Sequence, residues 1–169
     1  MLPRAIRVVD VEEVAADFHA RKSARAKTYQ YRIFRGAICP PFLARYVYHH
    51  PYPLDEGAIA EAAAVVVGEH DFTSFAAVDL EARKENAEAN NIRTIYGSSW
   101  ERVGEQLIYT VRGNGFLHHM VRNLVGTFLM MGKGNLSIKD LKRILDLRDR
   151  SAAAATAPAS GLFLVSVEY

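Results

Sequence analysis

The residues best suited to chemistry lie together in one segment, GNGFLHHMVRNLVG, at positions 113–126. A glycine-rich turn follows the strand-like stretch Leu107–Arg112 and leads into a predicted helix that carries His118, His119 and Arg122. Its apolar residues fall on one arc at about 100° per residue, namely Leu117, Met120, Val121, Leu124, Val125 and Phe128. Arg122 lies at the edge of this arc and keeps its charge, so it needs an anion or good hydrogen-bond acceptors. Its role is therefore structural, or it holds a catalytic carboxylate or a phosphate.

A second candidate is the pair Tyr29 and Tyr31, two positions apart in the strand-like segment Lys27–Arg35. Side chains with this spacing share one face of a strand. Aromatic rings beside guanidinium groups are used by proteins to stack an unpaired RNA base. The alternative is that both rings belong to a half-buried core, each phenol with one partner, and the spacing alone favours that alternative.

The basic residues are unevenly distributed along the chain. No aspartate or glutamate occurs from Phe18 to Leu54, whereas this stretch contains Arg21, Lys22, Arg25, Lys27, Arg32, Arg35 and Arg45. A local basic excess is typical of proteins that bind a phosphate-bearing partner, although the net charge of the whole chain is only +2. A solvated surface balanced by acidic residues elsewhere explains the same pattern equally well.

Other function classes find little support in the sequence. Adjacent helix positions point about 100° apart, so His118 and His119 are not expected to bind one metal ion. We find no P-loop, dinucleotide fingerprint or nucleophile elbow. The single cysteine, Cys39, excludes an internal disulfide, and no apolar run is long enough to span a membrane. The single cysteine fits a cytoplasmic protein, and no metal site is expected.

A single α+β domain over residues 1–169 is predicted to position these side chains, with helices packed on one face of a mixed or antiparallel sheet. The predicted strands are Arg4–Val9, Lys27–Arg35, Arg45–His50, Ile92–Val103, Leu107–Arg112 and Leu162–Tyr169. The predicted helices run from the N-cap Asp55 to Val67, over Phe116–Met131, and from Ser137 to Leu147 with Asp140 completing a capping box. Val78–Asn91 is expected to be an exposed loop and Ala152–Gly161 a connector. Asp71 or Ser74 is expected to cap the turn that follows it.

Several segments, in this order, resemble the C-terminal half of the TruA family of tRNA pseudouridine synthases. They are DFHARKSARAKTYQYRI (17–33), GEHDFTSF (68–75), RTI (93–95), GNGFLHHMVRNLVGTFL (113–129) and APASGLFLVSVEY (157–169). The resemblance covers nearly the whole chain and implies a pseudouridine synthase fold. It also implies an isomerase that converts uridine to pseudouridine in the anticodon stem-loop of tRNA, as a homodimer and without a cofactor.

The resemblance implies roles for single residues. Tyr29 matches the tyrosine that stacks on the target uracil and is a proposed proton acceptor, and Arg122 matches the arginine that pairs with the catalytic aspartate. An aromatic face holds a flipped base, and a nearby arginine keeps a carboxylate ionised and nucleophilic. The basic segment is expected to follow the RNA backbone. The expected RNA-binding residues are Arg21, Lys22, Arg25, Lys27, Arg32, Asn114, His118 and His119.

One family motif does not occur in these 169 residues. The family's nucleophile lies in a Gly-Arg-Thr-Asp-Ala-Gly segment upstream of the matched part, and Asp10, Asp17 and Asp71 have different contexts. We therefore expect the chain alone to be inactive, with Arg122 bound to solvent, an anion or a neighbouring acceptor. The face that meets the missing half should expose apolar surface or an unpaired strand edge and favour self-association. The alternatives are a non-catalytic RNA-binding module and a dimerisation scaffold.

Overall fold

The computed structural model describes residues 2–3, 5–77 and 90–169, and within them the chain forms a six-stranded sheet. The strands are β1 (Ala26–Phe34), β2 (Tyr48–His49), β3 (Gly68–Asp71), β4 (Ile92–Val103), β5 (Gln106–Gly113) and β6 (Leu162–Glu168). Their order is β2-β1-β5-β4-β3. Strand β6 pairs with the first part of β1, on the same side of β1 as β2. The β1–β2 pair is parallel and the others are antiparallel, which confirms the predicted mixed sheet.

Three helices accompany the sheet in the described residues, namely α1 (Glu56–Val65), α2 (Met120–Gly132) and α3 (Ile138–Leu147). The Asp55 carboxylate accepts a hydrogen bond from the Ala58 amide at 2.9 Å, and Ser137 and Asp140 form a reciprocal capping box. Both caps satisfy amide groups that the first helical turn leaves without a partner. The predicted helix starts at Asp55 and Ser137 are therefore confirmed. No helix of the described ranges is long and apolar enough to cross a membrane.

The core lies between one face of the sheet and the helices. Tyr31 of β1 is opposite Tyr109 of β5, both are fully buried, and both side chains point to the helical side. The ring of Phe128 from α2 packs edge-on against Tyr109 with ring centroids 5.4 Å apart. This alternation of buried and exposed positions along β1 and β5 confirms that the helices cover one face of the sheet.

Two predicted strands are wrong in whole or in part. Residues 5–9 form no strand: they pair with no neighbour, and Val9 is 96% exposed. A strand needs a partner for its backbone groups, and alternation alone does not supply one. Residues 41–46 form turns after Pro40, so only Tyr48 and His49 of the predicted strand Arg45–His50 pair with β1.

The second long helix begins later than predicted, at Met120 instead of Phe116. His119 has a left-handed backbone with φ of 59°, which a helix interior does not accept. Strand β3 was not predicted, because it is short and polar and forms only by pairing with β4. The Asp71 carboxylate accepts a hydrogen bond from the Thr73 amide at 3.0 Å, which confirms the predicted cap. The loop predicted at Val78–Asn91 lies outside the described residues except for positions 90 and 91.

Candidate functional site

The end of the sheet at which β1 and β4 begin and β5 ends gathers most of the candidate residues. Lys27 at the start of β1 is paired with Gly113 at the end of β5, and Gly113 is paired with Ile95 near the start of β4. The chain then turns through residues 114–119 and enters α2. The sheet topology thus places Tyr29, this turn and the first helical turn of α2 at the same end of the sheet.

The turn is fixed against β4 by Asn114. Its amide donates to the Thr94 carbonyl at 3.0 Å, and its side-chain oxygen accepts a hydrogen bond from the Thr94 amide at 3.0 Å. A Cβ on Gly113 would lie 2.8 Å from the same carbonyl, so only glycine allows this approach. The Arg93 side chain, which the sequence did not mark as a candidate, flanks the turn 3.5 Å from where a Cβ on Gly115 would stand. The side-chain oxygen of Asn114 is therefore already used in holding the turn.

The two candidate tyrosines have different environments. Tyr31 is fully buried and its hydroxyl donates to the Pro158 carbonyl at 2.7 Å, which confirms the core alternative for this residue. Tyr29 is only half-buried, and its ring makes a T-shaped contact with the ring of Phe116 at a centroid distance of 5.0 Å. Burial raises the pKa of Tyr29, so its phenol is neutral at physiological pH. Tyr29 therefore remains the tyrosine that offers an accessible ring.

Arg122 is held by the backbone of residues 150–161, here called the strap. Its Nε donates to the Ala157 carbonyl at 2.7 Å, and the Ala157 amide donates to the Arg122 carbonyl at 3.1 Å. This contact confirms the expected neighbouring acceptor. Burial, followed by the neighbouring Tyr48, raises the pKa of Tyr31, and the positive charge of Arg122 opposes that rise. Arg122 makes no ion pair with the described residues.

This anchoring decides which edge of the guanidinium is available. An arginine carries its donors on Nε and on two terminal nitrogens, and two parallel hydrogen bonds to a carboxylate use either edge of the group. Because Nε of Arg122 is occupied by Ala157, the terminal pair of nitrogens is the edge left for an anion. A carboxylate that pairs with Arg122 must then approach end-on.

The strap is itself held by a buried polar cluster that the sequence analysis missed. Asn123 is fully buried, and its side-chain nitrogen donates to the Phe75 carbonyl at 2.6 Å. Its side-chain oxygen accepts hydrogen bonds from Thr156 at 2.6 Å and from Arg150 at 3.1 Å. The sequence predicts only a connector, over Ala152–Gly161, whereas the strap includes short 3-10 turns at Arg150–Ala152 and Ala159–Gly161. The available signal was an asparagine in the apolar part of a helix, since a buried amide requires partners.

The prediction that His118 and His119 lie on the helix is wrong. They lie just before α2, which begins at Met120. Their rings stack at a centroid distance of 4.0 Å with 32° between the planes. Burial is the largest effect that lowers the pKa of His119, followed by the charges of His118, Arg122 and Arg150. His119 is therefore mostly neutral at physiological pH. In the described ranges no group of three His, Cys, Asp or Glu side chains is arranged to hold a metal ion.

The predicted RNA-binding cations do not all share one surface. Arg21, Lys22 and Arg25 are exposed on the segment that leads into β1, and Lys27 lies at its start. Arg32, by contrast, lies on the sheet face opposite the core. There its guanidinium carbon stacks 4.4 Å from the centroid of the Phe163 ring. The first four residues therefore lie towards the end of the sheet that carries Tyr29, whereas Arg32 is separated from it by the sheet.

Strand β6 has an unpaired edge, of the kind expected on the face that meets the missing half. Its inner edge pairs with β1, and no described strand pairs with its outer edge. Leu164 and Val165 of β6 are each more than half exposed. An exposed strand edge with apolar side chains is a site at which chains associate.

Comparison with known proteins adds to this geometry. A family model described as tRNA pseudouridine synthase matches residues 62–169. A protein from Solibacter usitatus named tRNA pseudouridine synthase A is 53% identical to this chain over 170 residues. Proteins of the same name from Anoxybacillus flavithermus and Halalkalibacterium halodurans are 42% and 44% identical and match 100% and 95% of this chain.

The three relatives are longer than this chain. It spans 66% of the length of the Solibacter and Anoxybacillus proteins and 59% of the Halalkalibacterium protein. The family match itself includes α2, which carries Arg122, and the strap, which holds its side chain. The chain belongs to the tRNA pseudouridine synthase family.

Proposed function

We propose that this chain is the part of a tRNA pseudouridine synthase that binds the target uridine and holds the catalytic carboxylate in its ionised form. The observation that carries the proposal is the anchoring of Arg122. A positively charged side chain whose Nε is fixed and whose terminal nitrogens make no ion pair with a described residue is prepared for an anion. The resemblance to the TruA family implies that this anion is the nucleophilic aspartate.

The proposed reaction is an isomerisation of uridine. The bond between C1′ of the ribose and N1 of the base breaks, a bond from C1′ to C5 forms, C5 loses its proton and N1 gains one. Tyr29 presents its half-buried ring to the flipped uracil, and Arg122 pairs end-on with the carboxylate that begins the reaction. Because the phenol of Tyr29 is neutral, stacking is the role that its environment favours, and accepting the C5 proton would require it to release its own.

We further propose that the aspartate comes from the third of the relatives' length that this chain does not cover. The partner of the protein is tRNA, which Arg21, Lys22, Arg25 and Lys27 contact along the backbone, while Asn114, His118 and His119 line the target site. Arg32 contacts RNA only if the nucleic acid crosses to the outer face of the sheet. The protein acts as a cytoplasmic homodimer without a metal or cofactor.

The test is pseudouridine formation on unmodified tRNA by two proteins. One is this chain alone, and the other is this chain fused to the third of the Solibacter usitatus relative that it does not cover. We expect activity only in the fusion, and substitution of Arg122 by Gln should abolish it. Activity in the short chain would mean that another carboxylate is the nucleophile. Activity in neither, combined with tRNA binding by both, would replace this proposal with an RNA-binding module.

A further inference from the structure

The polar cluster around Asn123 has no part in the function proposed so far. Asn123 belongs to α2, whereas Arg150 and Thr156 belong to the strap. The fully buried Asn123 side chain binds three different partners. Arg150 also donates to the Ala153 carbonyl at 3.2 Å and to the Thr156 hydroxyl oxygen at 3.1 Å. A charged group held by this many acceptors in a partly buried place does not form without a cost in desolvation. The polar contacts of the cluster therefore hold the backbone of residues 150–156 in one position, which a purely apolar contact would not do.

What it fixes is the strap. Besides the cluster, the Ala154 amide donates to the Thr127 hydroxyl at 3.3 Å, and the Thr127 hydroxyl donates to the Asn123 carbonyl at 3.0 Å. The strap is thus attached to α2 at successive points from Arg150 to Ala157. A strap attached at several points has little freedom to slide along the helix.

The attached strap presents two consecutive carbonyls, one to a side chain of the site and the other to a side chain of the core. The Ala157 carbonyl accepts from Arg122 and the Pro158 carbonyl accepts from Tyr31. Tyr31 is two residues from Tyr29 on the same face of β1. The same short piece of backbone therefore positions both the arginine and the strand that carries the stacking tyrosine.

We propose that Thr156 and Arg150 are positioning residues: by holding the strap on Asn123 they aim the terminal nitrogens of Arg122 at the carboxylate. This inference rests on the proposed function for the identity of the anion. The hydrogen bond from Arg122 to Ala157 does not depend on that identity, so the two claims are tested separately.

The discriminating variant is Thr156→Val, which has nearly the shape of threonine but removes the hydroxyl that binds Asn123. Thr156→Ser keeps the hydroxyl and serves as the conservative rescue. Thr110→Val is the matched control, because among the described residues the Thr110 hydroxyl accepts only a long hydrogen bond from Gln30, at 3.4 Å, on the outer face of the sheet. All three variants are compared with the wild type in thermal unfolding, which identifies any variant that is simply unfolded.

The first measurement is hydrogen exchange of the Arg122 Nε–H group in this chain, followed by nuclear magnetic resonance. We expect Thr156→Val to speed this exchange about tenfold, because loss of one well-formed hydrogen bond changes an equilibrium constant by about that factor. Both other variants should stay within about twofold of wild type. Exchange that is unchanged in Thr156→Val would overturn the proposal.

The second measurement is the single-turnover rate of pseudouridine formation by the fusion protein, together with its affinity for tRNA. A positioning role predicts that Thr156→Val lowers the rate about tenfold at unchanged affinity and that Thr156→Ser restores it. An unchanged rate, or a fall in affinity alone, would overturn the proposal. A wild-type fusion that lacks activity would contradict the proposed function, and the exchange measurement would then decide whether the cluster holds Arg122.

Discussion

Gly126 of α2 and Ala155 of the strap approach so closely that a Cβ on the glycine would lie 2.0 Å from the Ala155 carbonyl oxygen. That distance is far below van der Waals contact, and the atom in the way is backbone, which does not rotate aside as a flexible side chain does. The strap therefore lies against α2 only because position 126 has no side chain. The same approach brings the Ala157 carbonyl within reach of Arg122.

Substitution of Gly126 by Ala is accordingly expected to displace the strap. We predict a loss of about 1–3 kcal/mol in the free energy of unfolding, because an extra methyl group in a packed contact forces the backbone to shift. Urea denaturation measures this loss in the free energy of unfolding. Gly97→Ala is the control, since a Cβ there meets no atom within 4 Å. Equal stabilities of the two variants would show that the strap accommodates a side chain at position 126.

Removing one phenol oxygen from each candidate tyrosine separates structure from function. Tyr31→Phe loses the hydrogen bond to Pro158 and leaves that carbonyl without this partner, so it should lower the free energy of unfolding by about 1 kcal/mol or more. Tyr29→Phe should change stability by less than about 0.5 kcal/mol, since no described residue binds its hydroxyl. Urea denaturation of both variants provides the comparison.

Two substitutions of Tyr29 give opposite expectations for activity. In the fusion protein Tyr29→Phe keeps the aromatic face, whereas Tyr29→Ala removes it and should lower single-turnover activity by about 10- to 100-fold, the effect of one lost base-stacking contact. A Tyr29→Phe variant as inactive as Tyr29→Ala would show that the hydroxyl, and not the ring, carries the function.

A buried histidine makes stability depend on pH. His50 is 2% exposed, and its Nδ1 lies 3.0 Å from Nη1 of Arg35, a nitrogen that only donates, so the ring accepts and is neutral. Burial first, and then the charges of Lys133 and Arg35, lower the pKa of His50 from its usual 6.5. The unfolded chain takes up a proton near that usual value while the folded chain does not. Stability is therefore lost as pH falls below about 6.5, at a rate of at most about 1.4 kcal/mol per pH unit.

Substitution of His50 by Gln tests this expectation, because glutamine keeps an acceptor for Arg35 but does not titrate. The measurement is the free energy of unfolding in urea between about pH 5 and about pH 7.5. As pH falls, we expect the free energy of unfolding of the wild type to decrease relative to that of the variant. His119, whose pKa is also lowered, contributes to both proteins alike and cancels in the difference. A difference that is constant with pH would contradict a neutral, buried His50.

Much of the fold was predictable wherever the signal is local. Asp55 and Ser137 begin helices as predicted, because a short polar side chain can bind the free amides of the first turn without help from distant residues. The alternation of Tyr29, Tyr31 and Ile33 predicted β1 in the same way. Strand β3 escaped prediction because its polar sequence becomes a strand only when β4 offers an edge.

The candidate site was predictable only as separate residues. The type and spacing of Arg122 showed that a charge lies at the edge of an apolar helix, but not which atom holds it. That atom is a backbone carbonyl 35 residues further along the chain, at Ala157, and a carbonyl has no signature in the sequence. The strap escaped for the same reason, since its alanine-rich sequence conceals an anchor formed by Thr156 on a distant asparagine.

The exposed cations ahead of β1 should set the salt dependence of tRNA binding. Replacing Arg21, Lys22 and Arg25 together by Gln should reduce the slope of log affinity against log salt by about two, since each lost phosphate contact removes about 0.7–0.9. Filter binding with unmodified tRNA at several salt concentrations measures the slope. The control replaces three exposed cations of α3, namely Lys139, Lys142 and Arg143. Equal effects of the two triple variants would mean that net charge, and not the surface beside Tyr29, governs binding.

The open edge of β6 should make this chain self-associate. Sedimentation velocity over a range of concentrations is expected to show a concentration-dependent dimer, because backbone groups and apolar side chains along this edge have no partner strand in the described part of the chain. Val165→Lys should weaken the dimer, as a charged side chain on an edge strand opposes pairing. Val103→Lys is the matched control: Val103 is 51% exposed and Val165 53%, but Val103 lies at the β4–β5 turn. A monomer at every concentration, or equal effects of both lysines, would show that β6 is not the interface.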